Sequence, residues 1–296
     1  MTAIVESVKN AIVGTVRGTG EVIDAVTETV SGSLATALKS TGAVGKALTG
    51  AVSDVASGAI QGASQVGGDL GKVTKGTVIG IVRGTDEAGG HVLDAVGSAA
   101  CNLVETTSAI GGDVGGAARD AMEGTIEGAR RVGVRSADAI AAAAAGAIQG
   151  AGGVGKAATV TTVDVTRGLI QGASAVGGDV AAAGRGAMVG VLRGGRDVTA
   201  QTIDAIGASA STVVKTVADV GGDVGNAARS AVEGAIQGAL EIGGDAAEAA
   251  SAAAGGAIRA AGGLGRTALD EVRQAVTGMI MGVKVVVKEP FKAEAP

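Results

Sequence analysis

The chain has 296 residues, a formal net charge of −5, 46% hydrophobic residues and 54 glycines. It contains no Trp or Tyr and a single Phe, Phe291, so the two ordinary domains its length would allow lack the large side chains that fill a core. A mean hydropathy of +0.40 also excludes a plain disordered chain, and the slight acidity gives no reason to expect a nucleic-acid partner.

In chain order, residues 1–3 form a short N-terminal end, 4–289 a periodic region and 290–296 a tail. The opening "MTAIVESVKN" carries Glu6 where a secretion signal needs a basic start and an apolar run. The longest uncharged stretch, between Asp138 and Lys156, is mostly Ala and Gly and makes a marginal membrane span. Cys101 is the one cysteine, so no intrachain disulfide forms. These features give a cytoplasmic expectation, with a lipid or membrane surface as the alternative.

The periodic region repeats itself. "AIQGASQVGGD" at 59–69 returns as "LIQGASAVGGD" at 169–179 and "AIQGALEIGGD" at 235–245. Gly62 matches Gly172 and Asp113 matches Asp223, so a block of 110 residues is duplicated, and the block is itself ten elevens. The eleven-residue register holds from Ile4 to Glu289 without a slip. Eleven residues in three turns is an α-helical period that favours a straight or slightly right-handed supercoil. Six of the eleven positions form a wide apolar arc and the other five carry nearly all the charge, which defines an amphipathic helix. Strict alternation never persists, so strands are not expected.

The spacing predicts an all-α protein: one very long helix over 4–289, about 430 Å at ~1.5 Å per residue, stopping at Pro290. Its 54 glycines cost on the order of 50 kcal/mol relative to alanine, so packing has to offset them. Small residues allow helix backbones to approach closely. Gly58 and Gly62, Gly124 and Gly128, and Gly168 and Gly172 form GxxxG pairs at one edge of the arc, with Gly67, Gly111, Gly177 and Gly221 at the other. All ten are predicted helix-contact sites. A basic flank (Arg119, Arg185 and Arg229 among others) and an acidic flank (Asp113, Asp179 and Asp223 among others) predict charge pairing between helices. The arc is too wide for a dimer seam, so the expected partner is the chain itself, as a parallel homo-oligomer of four or more helices. A second architecture reads "VGGD" and "IGGD" as turns, with Gly as C-cap and Asp as the next N-cap, and stacks short helices as hairpins. Against it, the matching slots hold "GKA" at 155–157 and "TAQ" at 199–201, which make poor turns.

Sites for chemistry are sparse. His91 is the only histidine and fills a slot where other repeats have Asp, which reads as a surface histidine. Cys101 has no second Cys or His near it and reads as a free thiol. "GAVGKAL" at 42–48 and "GVGKA" at 153–157 fall short of a phosphate-binding loop. No catalytic, cofactor or metal site is expected, and an enzyme is not the expected class.

"GTVIGIVRGTDEAGGHVLDAVGSA" at 76–99 resembles the eleven-residue repeats of synucleins and perilipins. That resemblance implies a long helix lying on a lipid surface. The chain is similarly like long Gly/Ala-rich hendecad coiled coils, which implies self-association. Denser glycine and flanks of opposite sign depart from the lipid-binding repeats and suit helix partners better than anionic lipid. The leading expectation is a self-assembling fibre, stalk or scaffold. The alternatives are a coat on lipid droplets, granules or membranes, and a tube holding a lipophilic molecule in its lumen.

Overall fold

A computed structural model describes residues 3–18, 22–41, 45–152, 158–195 and 200–287. The protein is all-α except for one hairpin. Thirteen helices are described: α1 (Ala3–Gly18), α2 (Val22–Thr41), α3 (Gly45–Gln65), α4 (Leu70–Glu87), α5 (Val92–Ala109), α6 (Val114–Val132) and α7 (Ser136–Gly152). They continue as α8 (Ala158–Ala175), α9 (Val180–Gly195), α10 (Ala200–Asp219), α11 (Val224–Glu241), α12 (Ala246–Leu264) and α13 (Arg266–Val276). The single long helix is therefore not formed; the chain breaks after every second eleven.

The breaks are built by the GGD phrase. Gly67 takes φ +65°, a left-handed conformation in which a side chain would be strained. Its N–H donates to the Ser64 carbonyl and that of Gly68 to the Ala63 carbonyl, which closes α3. Asp69 then accepts from the Lys72 N–H and opens α4. Gly89, Gly111, Gly133, Gly177, Gly221 and Gly243 repeat the left-handed residue in phase. Asp113, Asp179, Asp223 and Asp245 repeat the cap, each accepting backbone N–H groups of the helix it begins. Of the poor-turn slots, 155–157 and Thr199 lie outside the described residues, while Ala200 and Gln201 begin α10.

Each helix packs on its sequence neighbours and, except where α11 meets α12, more extensively on the helices two before and two after. The helices thus form two columns, odd-numbered and even-numbered. Within a column they run parallel: Gly58 and Gly62 of α3 meet Val5 and Lys9 of α1 in step, and Gly76, Gly80 and Gly84 of α4 meet Ile23, Thr27 and Ser31 of α2. Between columns lies a core of Val, Ile, Leu, Met and Ala, with Ile60, Ile79, Leu103, Met122 and Leu169 fully buried. The breadth of the apolar arc follows from this arrangement. Each helix from α3 to α11 covers neighbours on two sides of its own column and on the facing column. The buried polar side chains among the described residues are Thr and Ser, several of which donate back to a carbonyl four residues earlier.

The C-terminal end departs from the predicted helix through 289. After α13 the chain forms strands β1 (Gly278–Ile280) and β2 (Val283–Val285), paired antiparallel with Met279 opposite Lys284. Met281 and Gly282 both take positive φ, the geometry of a tight two-residue hairpin turn. Ile280 and Val285 face the core. "GMIMGVKVVV" keeps the register of elevens but is rich in β-branched residues, and the local alternation prevails.

Candidate functional site

The glycines expected at helix contacts divide into two groups. Gly58, Gly62, Gly124, Gly128, Gly168 and Gly172 do lie at close helix contacts, but within the chain. A Cβ built on Gly58 would lie 2.7 Å from the Val5 carbonyl oxygen, and one on Gly62 would lie 2.7 Å from that of Lys9. Gly124 and Gly128 press on Lys75 and Val82 of α4, and Gly168 and Gly172 on Gly115 and Arg119 of α6. Gly67, Gly111, Gly177 and Gly221 are instead the left-handed turn residues, with nothing within 4 Å of a built Cβ. Their place at the other edge of the arc follows from the helix ending there.

The charges also sort differently from the expectation. Asp113, Asp179 and Asp223 are helix caps rather than partners of a basic flank. Arg119 pairs with its neighbour Asp120 (3.4 Å) and Arg229 with Glu233 one turn on (3.1 Å). Arg185 alone of the three bridges helices, reaching Glu233 of α11 at 2.9 Å. Two further bridges share its 48-residue separation: Arg193 to Glu241 (2.8 Å) and Lys75 to Glu123 (3.5 Å). The acids Glu123, Glu233 and Glu241 were not singled out in the sequence. A search for opposite charges 48 residues apart finds them, because that spacing is two helices plus one turn.

Lys75 also lies 3.3 Å from Glu127, which Arg131 engages at 2.5 Å. Burial opposes the charge on Glu127, but the hydrogen bonds from Arg131 and Lys75 outweigh it and hold its carboxyl below the ordinary value. Asp120 behaves oppositely. It sits over Gly71 at the start of α4, and burial raises its pKa, with Glu123 and Asp69 adding to the rise against the pull of Arg119. Burial, and then Glu105, raises the Cys101 thiol and so favours its protonated form. His91 stands at the cap position of α5, exposed, with no side-chain cap bond. Lys46 of the first phosphate-loop-like phrase is exposed on α3, and the second phrase lies outside the described residues. Among the described residues no group of three or more His, Cys, Asp or Glu gathers as a metal site.

A groove of about 580 Å³ crosses the odd column from α3 to α11. Its floor includes Gly97, Ala142, Gly146 and Gly186; Arg185, Arg193, Asp94 and Asp138 stand around it. Two smaller recesses, of 190 and 280 Å³, lie between α6 and α8 and between α10 and α12. All three mark places where glycine of one helix meets glycine of the helix beneath: Gly146 on Gly97, Gly168 on Gly115, and Gly256 on Gly207. Two facing glycines bring the backbones together and leave the flanks without side chains, so a furrow opens beside each contact. Each of these furrows has a rim of mixed charge.

The fold defines an all-α repeat protein made of short helices in two columns. The chain matches no protein-family model and no curated protein. Among the described residues no helix is long and apolar enough to cross a membrane.

Proposed function

We propose that this chain is a non-enzymatic, self-associating helical scaffold. The observation that carries this reading is the recurrent glycine-mediated stacking of a helix on the helix two before it, seen for α3, α4, α6, α7, α8, α9, α11 and α12. Stacking of helices two apart joins the chain from α1 to α13 and lays surface furrows across several helices, as in other repeat proteins whose extended faces hold partners. Self-association belongs to this reading through outer surfaces, since the apolar arc is occupied within the chain. A coat on lipid would need that arc at the surface, and a lipophilic cargo would need it around an open lumen; the Val and Ile side chains of the arc pack as the core.

Circular dichroism in lipid-free buffer, paired with flotation on anionic and neutral vesicles, tests the reading. A scaffold is fully helical before lipid is added, gains no helix with vesicles and stays at the bottom of the gradient. A chain that is unfolded in buffer and becomes helical only as it floats with vesicles overturns it in favour of the lipid coat.

A further inference from the structure

The first two helices carry, at Gly14 and Gly32, the face by which α3 and α4 stack, and among the described residues nothing packs on it. Two helices on from Gly32, the same place is Gly76, which sits on Ile23 and Val26; two helices on from Gly14 it is Gly58, which sits on Val5 and Val8. Gly14 and Gly32 have nothing within 4 Å. At the other end of the columns α13 and the hairpin lie against α11 and α12, with Arg266 and Asp270 exposed near the equally exposed Met279, Met281 and Val286.

The open face is also charged in a self-complementary way. On α2 the residues Asp24, Glu28, Gly32, Thr36 and Lys39 are all exposed, at spacings of four, four, four and three, and so form one stripe. Two acids precede Gly32 and one base follows it. Among the described residues none of the three takes part in an ion pair, although Glu28 acts at longer range on Arg83 of α4, whereas Lys75, Arg185 and Arg193 pair across stacked helices. If two copies of α2 cross antiparallel at Gly32, Lys39 of each faces the turn holding Asp24 and Glu28 of the other. The same two-fold lays α1 on α1, where Ala3, Ser7, Asn10 and Gly14 present an exposed stripe of small side chains.

We propose that α1 and α2 form an isologous docking face for a second copy of this chain, closed by a two-fold at Gly32, with Lys39 pairing to Asp24 and Glu28 across it. The occupant is argued from continuity with the stacking interface inside the chain and from this charge pattern. The inference rests on the self-association part of the scaffold reading and replaces a bundle of four or more helices with a dimer.

Sedimentation equilibrium and light scattering on the full chain test it. The wild type is expected at twice its 27.9 kDa mass. Gly32→Trp has room in the single chain and should leave helicity unchanged while giving a monomer. Lys39→Glu, and separately Asp24→Lys with Glu28→Lys, should each weaken the dimer about tenfold at low salt, and mixing the two variants should restore it as a heterodimer. A wild-type monomer at ~100 µM, a concentration at which weak association still registers, overturns the proposal. So does an assembly larger than two, or a dimer whose mass none of these variants changes. A larger assembly, or a dimer that none of the variants changes, sinks this face and leaves the scaffold reading standing, whereas a monomer removes self-association from both; the lipid-free helicity test separates either result from the lipid coat.

Discussion

At the scale of single residues, glycine has three roles that composition alone does not separate. It lies under a neighbouring backbone, it turns the chain, or it faces open space. Gly62→Ala illustrates the first. Alanine improves helix propensity by about 1 kcal/mol, but the new methyl would lie 2.7 Å from the Lys9 carbonyl. We expect a net loss of about 1–3 kcal/mol in urea unfolding. Gly50→Ala, where nothing lies within 4 Å, should gain up to about 1 kcal/mol. Equal shifts at the two positions would show that the helices do not stack as described. The sequence located the contact glycines because GxxxG places two of them on one face. It mixed them with the turn glycines because both kinds flank the apolar arc, and a left-handed φ leaves no mark in an amphipathic pattern. His91 belongs to this scale too. His91→Asp would supply the cap that α5 lacks and should raise stability by about 1 kcal/mol.

At the scale of the helix, the period was legible and the length was not. Eleven residues per three turns continue in phase through a turn, so hydrophobic spacing is the same for one long helix and for short ones of two elevens. What distinguishes them is local: Gly67 followed by Gly68 and Asp69 satisfies the carbonyls of α3 and the N–H groups of α4 without either helix continuing. Asp113→Ala should therefore destabilise by about 1 kcal/mol through loss of its bond to the Gly116 N–H. Charge also acts at this scale, through α6 lying on α4. The Asp120 carboxyl is raised by burial, so the folded state holds its proton more tightly than the unfolded chain does. Its ionised form destabilises at neutral pH, and this penalty is relieved as pH falls through its raised value. Asp120→Asn should increase neutral stability and flatten that limb of the pH profile. Glu127 has the opposite sign: its lowered pKa contributes stability above the ordinary carboxylate range, lost as pH falls through its folded value. An Asp120→Asn profile unchanged from wild type would show that the carboxyl is solvated.

For the whole molecule, the two architectures differ in what they tolerate. A continuous coiled coil keeps its seam after losing eleven residues or twenty-two. Two columns of short helices keep their turns only if a whole helix with its turn is lost. Deleting 70–91 joins Asp69 directly to Val92 and should leave a cooperative, helical protein of lower stability. Deleting 72–82 keeps the register of elevens but leaves half a helix between two turns, and should broaden or abolish the thermal transition. Equal behaviour of the two deletions in calorimetry would contradict the column arrangement. The two columns could not be read from the sequence, since pairing between helices two apart needs side-chain vacancies, such as Gly146 over Gly97, that only the packed chain shows. The recesses beside those vacancies were hidden for the same reason, and with them the candidate site.

The duplicated block holds an odd number of helices. Gly62 lies in α3 and its match Gly172 in α8; Asp113 opens α6 and its match Asp223 opens α11. Copies of one text thus stand on opposite sides of the molecule, each with a face toward the core and a face toward water. Neither side is a specialised front or back. The true unit of growth is the single helix, applied over and over by one screw-like step, and a lineage could lengthen or shorten this protein one helix at a time, exchanging the sides of everything downstream without rewriting a residue.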